Sequence, residues 1–174
     1  MPVPQHIDSQ AAGRQLLVGH RELRAQLAAL RAALDEEGGL AAAVGGTGDG
    51  APAGSGSGSG TVDTASLVQQ LRARCLEYCL GLHHHHTMED GAFPVFEQRY
   101  PEIAPVIERL REEHRQVAAG LDRLTKLVES DDGQDVNWLR GELERTVAGI
   151  EEHFVYEETY LLPALGVTPP GPTS

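Results

Sequence analysis

At 174 residues and a formal net charge of -12, the chain has the length of one domain with enough residues to bury a core. The negative balance, with no Lys/Arg cluster to offset it locally, argues against nucleic acid or an anionic membrane surface as partners. No apolar run approaches the ~20 residues of a membrane span, and the N-terminus lacks the basic and apolar regions of a signal peptide, so a cytoplasmic protein that handles a small molecule or meets a protein partner is expected.

The first segment, from about Asp8 to Glu37, repeats Leu16, His20, Leu23, Leu27, Leu30 and Leu34 at spacings of three and four, which puts them on one face of a helix. From about 38 to 60 the chain contains GGTGDGAPAGSGSGSG, has no apolar period and is too rich in Gly and Ser to pack, so it reads as a flexible insertion. A second helix is expected from about Thr64 to Asp90, with Leu67, Leu71, Cys75, Tyr78, Leu82, His85 and Glu89 inward, Asp63 or Thr61 as its cap, and Gly91 with Pro94 as its stop. Cys75 and Cys79 lie one turn apart, where a bridge would staple nothing, and read as reduced core residues. After the connection GAFPVFEQRY, a third helix is expected from Pro101 to Glu129, carrying Ile103, Ile107, Leu110, His114, Leu121, Leu124 and Val128. A fourth, from about Gln134 to Leu162, carries Leu139, Leu143, Val147, Ile150, His153, Glu157 and Leu161, and Pro163 closes it. The fold expected is all-α: an up-down-up-down antiparallel four-helix bundle over residues 1–165, with a long Gly/Ser-rich loop (38–60) between helices 1 and 2 and a disordered tail over 166–174.

Within these apolar stripes stand His20, His85, Glu89, His114, His153 and Glu157, each replacing an apolar residue without breaking the helical period. Buried imidazoles and carboxylates cost several kcal/mol each unless paired, hydrogen-bonded or metal-bound. His85 with Glu89 and His153 with Glu157 are both HxxxE pairs, and a four-residue step turns a helix only about 40° while rising ~6 Å, so each pair faces one interior point. Nitrogen and oxygen donors without thiolate favour iron, manganese or zinc, and two carboxylates from opposite helices suit a dinuclear non-haem iron centre, with zinc the main competitor.

No ExxH occurs, which sets the chain apart from the ferritin-like di-iron bundles. The stretches GHREL, HHHHTMEDGAFPVF, EEHRQV and EEHFVYEETYLLPAL, in the order H…HxxxE…H…HxxxE, resemble the hemerythrin-like (HHE cation-binding) family over nearly the whole chain except the Gly/Ser insertion. That resemblance implies two non-haem iron ions held by His20, His85, Glu89, His114, His153 and Glu157. Two departures from the oxygen-carrying hemerythrins stand out. Those proteins have a second histidine one turn after the third-helix ligand, where this chain has Ala118, and an acidic ligand five residues after the last histidine, where this chain offers Glu157 at four and Glu158 at five. Periodicity favours Glu157, since Glu158 points away from the stripe unless the helix bulges, which leaves Glu158 as a candidate additional ligand.

His86 adjoins His85 on the Leu82 side, as an additional ligand or an outer partner, whereas His83 and His84 fall on the flank. Tyr78 and Tyr160 fall on the ligand faces, as proton donors or radical partners if catalytic and as packed residues with hydrogen-bonded hydroxyls otherwise. Glu112/Glu113 and Glu151/Glu152 read as solvated faces. The missing imidazole at Ala118 suggests an open coordination position, and hence reduction or activation of O2, peroxide, NO or an organic substrate with a protein reductant. Non-enzymatic O2 or iron binding, storage or sensing is the alternative.

Overall fold

The computed structural model describes residues 8–44, 64–130 and 136–168. Asp8 opens α1 (Ser9–Val44), its carboxylate accepting the N–H groups of Gln10 at 3.0 Å and Ala11 at 3.1 Å, which answers two of the unpaired donors of the first turn. There follow α2 (Thr64–Arg99), a 3-10 turn (Pro101–Ile103), α3 (Ala104–Glu129), and a fourth rod in two pieces, α4 (Val136–Val147) and α5 (Ile150–Ala164). Among the described residues there is no strand, and no helix is long and apolar enough to cross a membrane.

Cross-helix partners fix the topology. Along α1 and the fourth rod, Arg24 meets Glu151, Arg31 meets Glu144 and Arg140 meets Asp35, so one runs down as the other runs up. The α2–α3 pair shows the same reversal in His114–Asp90 and Arg111–Glu97, and the α3–α5 pair in Glu113–His153 with Arg109 over the Tyr156 ring. The result is the up-down-up-down four-helix bundle that the apolar periods predict.

Several boundaries differ from the sequence reading. The first helix carries on through Gly38 and Gly39 to Val44, because the LAAAV that follows is a strong helix-forming run and each glycine costs only about 1 kcal/mol relative to Ala. The 45–60 part of the Gly/Ser insertion lies outside the described residues, as do the proposed caps Thr61 and Asp63 and all but Gly166–Thr168 of the tail.

The second helix does not stop at Gly91 or Pro94. Pro94 sits on its exposed side, and the turn it weakens is held by Phe93 and Phe96, buried on the inner side, and by the fork of Arg111 on Glu97 at 2.6 and 2.8 Å. Losing one helical hydrogen bond costs ~3 kcal/mol; burying two phenyl rings recovers about 2–3 kcal/mol apiece.

The fourth helix, expected to be continuous, breaks at Ala148–Gly149, where Gly149 adopts φ 85. Pro163 lies inside the last turn instead of ending it. Termination falls to Gly166 at φ 75, with Gly166 N–H on the Pro163 carbonyl and Val167 N–H on that of Leu162, a Schellman closure that packs Val167 onto the core.

Two apolar clusters make up the interior. One gathers Leu27, Leu34, Cys75, Tyr78, Leu124, Leu143 and Phe154; the other gathers Leu16, Phe93, Phe96, Ile107, Leu110 and Leu161. Cys75 and Cys79 are buried and unbridged, as expected. Between the clusters lies a polar layer.

Gly149 has open space where a Cβ would go, so its φ alone decides the effect of a side chain. Gly149→Ala is expected to destabilise the protein by about 1–2 kcal/mol. Gly91→Ala, equally unobstructed and with no positive φ, should stabilise it by roughly 0.5–1 kcal/mol. Urea denaturation of both variants checks the contrast.

Candidate metal centre

All four rods contribute to the polar layer: His20 from α1, His85, His86 and Glu89 from α2, His114 from α3, and His153 and Glu157 from α5. The side chains fall into two groups. His20, His85, Glu89 and Glu157 each offer one ligand atom, all within 4.8 Å of one another, and His86, His114 and His153 do the same.

The two carboxylates face both groups. Glu89 Oε1 is 3.0 Å from His85 Nε2, and its Oε2 is 3.5 Å from His114 Nε2. Glu157 Oε2 is 3.0 Å from His20 Nε2, while its Oε1 is 3.5 Å from His114 Nε2 and 3.6 Å from His153 Nε2. Nε2 of His85, His86, His114 and His153, both oxygens of Glu89 and Oε1 of Glu157 are buried without a hydrogen-bond partner. Buried polar atoms are seldom left so, and here the orphans converge. A cation in each group would satisfy them, and the donor chemistry, imidazole and carboxylate with no thiolate, suits iron, manganese or zinc.

The far edges of three rings are tied down. His20 Nδ1 lies 2.8 Å from Glu158 Oε1, His114 Nδ1 2.9 Å from Asp90 Oδ1, and His153 Nδ1 2.8 Å from Glu113 Oε2. Donation from Nδ1–H to these carboxylates aims each ring's Nε2 inward, the orientation a metal ligand needs. Arginines brace two of the anchors: Arg24 donates to Glu158 at 2.8 Å and Arg109 to Glu113 at 2.7 Å. Two phenyl rings hold the imidazoles flat, Phe154 on His20 at 4.2 Å and Phe93 on His114 at 5.6 Å.

The electrostatics of the cage invite positive charge. Burial, then the neighbouring His20, pushes His85 down to about 4, and burial with His114 and His153 pushes His86 down to about 2. Both rings are therefore neutral donors at neutral pH. Burial works against the charged form of His20 as well, but hydrogen bonds to Glu157 and Glu158 outweigh it and hold His20 up at about 9. Burial and the charge of Glu157 drive Glu89 well above the carboxylate range. Glu157 also suffers burial, yet the imidazoles of His114 and His20 beside it keep it below that range. The difference is one of partners: Glu157 shares a hydrogen bond with His20, whereas Glu89 has imidazoles near it but no hydrogen bond to either. Cations would take the place of these protons.

All six ligand candidates from the stripes are thus brought together. His86 joins them as a third imidazole beside His114, stacked on it at 4.1 Å, because at this level the inner face of α2 is wide enough to meet both α1 and α3. With it, the two groups together hold five imidazoles. Glu158 belongs to neither group. Contrary to the expectation that it falls off the stripe, it is buried and holds His20, its length carrying the carboxylate back inward from the flank.

His83 and His84 are exposed, as expected. Tyr160 is not on the ligand face: it is 52% exposed and packs on Tyr156 at 4.6 Å. Tyr78 is buried in the apolar cluster with its hydroxyl unpartnered, not satisfied as expected, and burial raises its pKa above the usual phenol range. Glu113 and Asp90 were not singled out by the sequence reading, which assigned Glu113 to a solvated face. The available signal was their place beside inward histidines of neighbouring helices, which only the pairing of helices reveals. Gly19 was also missed. A Cβ there would stand 2.9 Å from His85 Nδ1, so glycine is what lets that ring lie where it does.

The model of the Hemerythrin HHE cation binding domain matches residues 13–165. No curated protein and no solved structure matches the chain.

Glu113 and Glu112 are neighbours on α3, but only Glu113 reaches an imidazole of the cage. Glu113→Ala is expected to weaken binding of a divalent probe ion such as Co2+ by about 10–100-fold. Glu112→Ala, which removes only surface contacts with Arg115 and Gln116, should leave the affinity unchanged. Competition against a chelating dye measures both.

Proposed function

Since the chain belongs to the hemerythrin HHE cation-binding family, we propose that its two donor groups hold a pair of non-haem iron ions and that the centre binds and reduces or activates O2, peroxide or NO. The observation that carries this reading is the pair of buried carboxylates, each turned toward both histidine groups with oxygens left unpartnered. Carboxylates that face two donor groups suit two cations held close together. His20 and His85 would hold one ion and His86, His114 and His153 the other, with Glu89 and Glu157 shared. Iron held there would supply electrons for the reduction of an oxygen species, with an external reductant, protein or small molecule, restoring them.

The chain's own contribution is preparation. The Nδ1 bonds from Glu158, Asp90 and Glu113 fix three rings before any ion arrives, so little ordering remains when it does. Neutral His85 and His86 present lone pairs without first losing a proton. The apolar clusters on either side keep bulk water from the layer, which strengthens every charge interaction inside it.

A second reading, non-enzymatic O2 binding or sensing, draws support from His86. With five imidazoles present, the reason for doubting reversible carriage on account of Ala118 falls away.

Anaerobic reconstitution with elemental analysis is expected to give about two irons per chain, one for each group. His86→Ala should lower this toward one, while His84→Ala, at an exposed position, should not change it. One tightly held zinc with no capacity for iron would sink the di-iron reading. Stopped-flow mixing of the reduced protein separates the two functions: repeated consumption of peroxide or NO with reductant supplied marks turnover, and a long-lived O2 complex inert to both marks a carrier or sensor.

A further inference from the structure

The polar layer is not sealed equally on all sides. Side-chain exposure is 13% for His85 and 9% for Glu89, against at most 3% for His20, His114, His153 and Glu157. Both of the more exposed groups form the floor of a cleft of about 620 Å³ between α1 and α2, a volume within the range of small-molecule sites. Leu16, Leu23, Phe93, Phe96, Leu161 and Leu165 are among its walls, and Val18 and Met88, 50% and 61% exposed, stand at its mouth.

Two glycines on the facing helices open the space. Gly19 leaves room for the edge of the His85 ring, and at Gly81 the nearest atoms to a Cβ would be Gln26 Oε1 at 3.7 Å and Leu23 Cδ2 at 3.8 Å. A mid-helix glycine costs roughly 0.5–1 kcal/mol relative to Ala, and here the cost falls where it keeps a path to the cage clear. The polar groups of the cleft besides its floor are Gln15, Gln26, Glu22 and His84, and neither Lys nor Arg is among the lining residues. With Glu22 at the cleft and a net charge of -12 on the chain, a carboxylate or sulfonate would find no partner and would be repelled.

We propose that this cleft binds an apolar organic molecule, a medium-length alkyl compound that is neutral or carries an amine, and brings it against the His20/His85 side of the cage. That such a molecule meets a redox centre rests on the di-iron reading above; the binding itself does not. The cleft thereby assigns the two donor groups different roles, one accessible to an organic ligand and the other enclosed by Phe93 and the ring-tying carboxylates.

Calorimetric titration of metal-free and iron-loaded protein with n-octanol, n-octylamine and octanoate tests this. Octanol and octylamine should bind, and octanoate about tenfold more weakly or worse. Gly81→Leu should weaken octanol binding about tenfold or more by filling the cleft, without loss of metal content or helix content, since leucine is a better helix former than glycine. In the wild-type protein the backbone amide signals of Gly19 and Gly81 should shift on adding octanol, a readout that does not depend on the variant folding. Silence of octanol toward both forms, unmoved Gly19 and Gly81 signals, undiminished binding to folded Gly81→Leu, or octanoate binding as tight as octylamine would each overturn the proposal. Octanol binding without iron uptake would sink the di-iron reading and leave the cleft standing; two bound irons with no octanol binding would do the reverse.

Discussion

Two carboxylates withdrawn from water at the middle of a helix bundle are the constraint to which the rest of this structure answers. Glu157 has no solvent exposure and Glu89 very little, and an uncompensated carboxylate in such a place costs far more than a small domain's whole net stability. Five imidazoles surround them, one from α1, two from α2, one from α3 and one from α5. The carboxylates need positive charge, the imidazoles need something on their inward nitrogens, and the same cations serve both. A bundle of purely apolar contacts would be simpler to stabilise, so the polar layer is intelligible as a place made for cations.

The supports of that layer come from outside it and cross between helices. Each tied imidazole takes its anchor from a different helix or from the opposite rod: His20 from Glu158, His114 from Asp90, His153 from Glu113. Arg24 then links the interior to the surface, holding Glu158 with one nitrogen and Glu151 with the others. The exposed ion pairs farther along, Arg31 with Glu144 among them, are worth about 0–1 kcal/mol each. Their importance lies in register: they keep the antiparallel rods at the height where the donors meet.

Irregularities in the helices serve the same end. Because α2 continues past Pro94 to Arg99, Glu89 and His114 lie at comparable heights from the turn at Tyr100. Phe96 belongs to that extension, and Phe93, just before it, stacks on His114. The break at Gly149 falls one turn before His153, whose N–H returns to the Gly149 carbonyl. The lower part of the fourth rod, carrying His153 and Glu157, is thus a separate helix aimed independently of α4.

Much of this was legible in the chain itself, because helical periodicity is local. Spacings of three and four marked the four helices, and a histidine or glutamate inside an apolar stripe had to face inward whatever its neighbours were; that argument alone brought out His20, His85, Glu89, His114, His153 and Glu157. What escaped it depends on which helix lies beside which. His86 sits off the stripe of its own helix and is a donor only because α2 meets two partners at that level. Glu158, Asp90 and Glu113 look like surface carboxylates until a neighbouring imidazole is set against them, and Tyr160, which periodicity places inward, turns out where the last turns of α5 are covered on one side only. Prolines and glycines misled in the same way: Pro94, Gly38 and Gly91 are stop signals in isolation, but local propensities of about 1–3 kcal/mol yield to the burial of whole aromatic side chains. Sequence determined the helices and the inward donors, since both follow from the geometry of a single helix; tertiary structure decided the second donor group, its anchors and the cleft, since these exist only between helices.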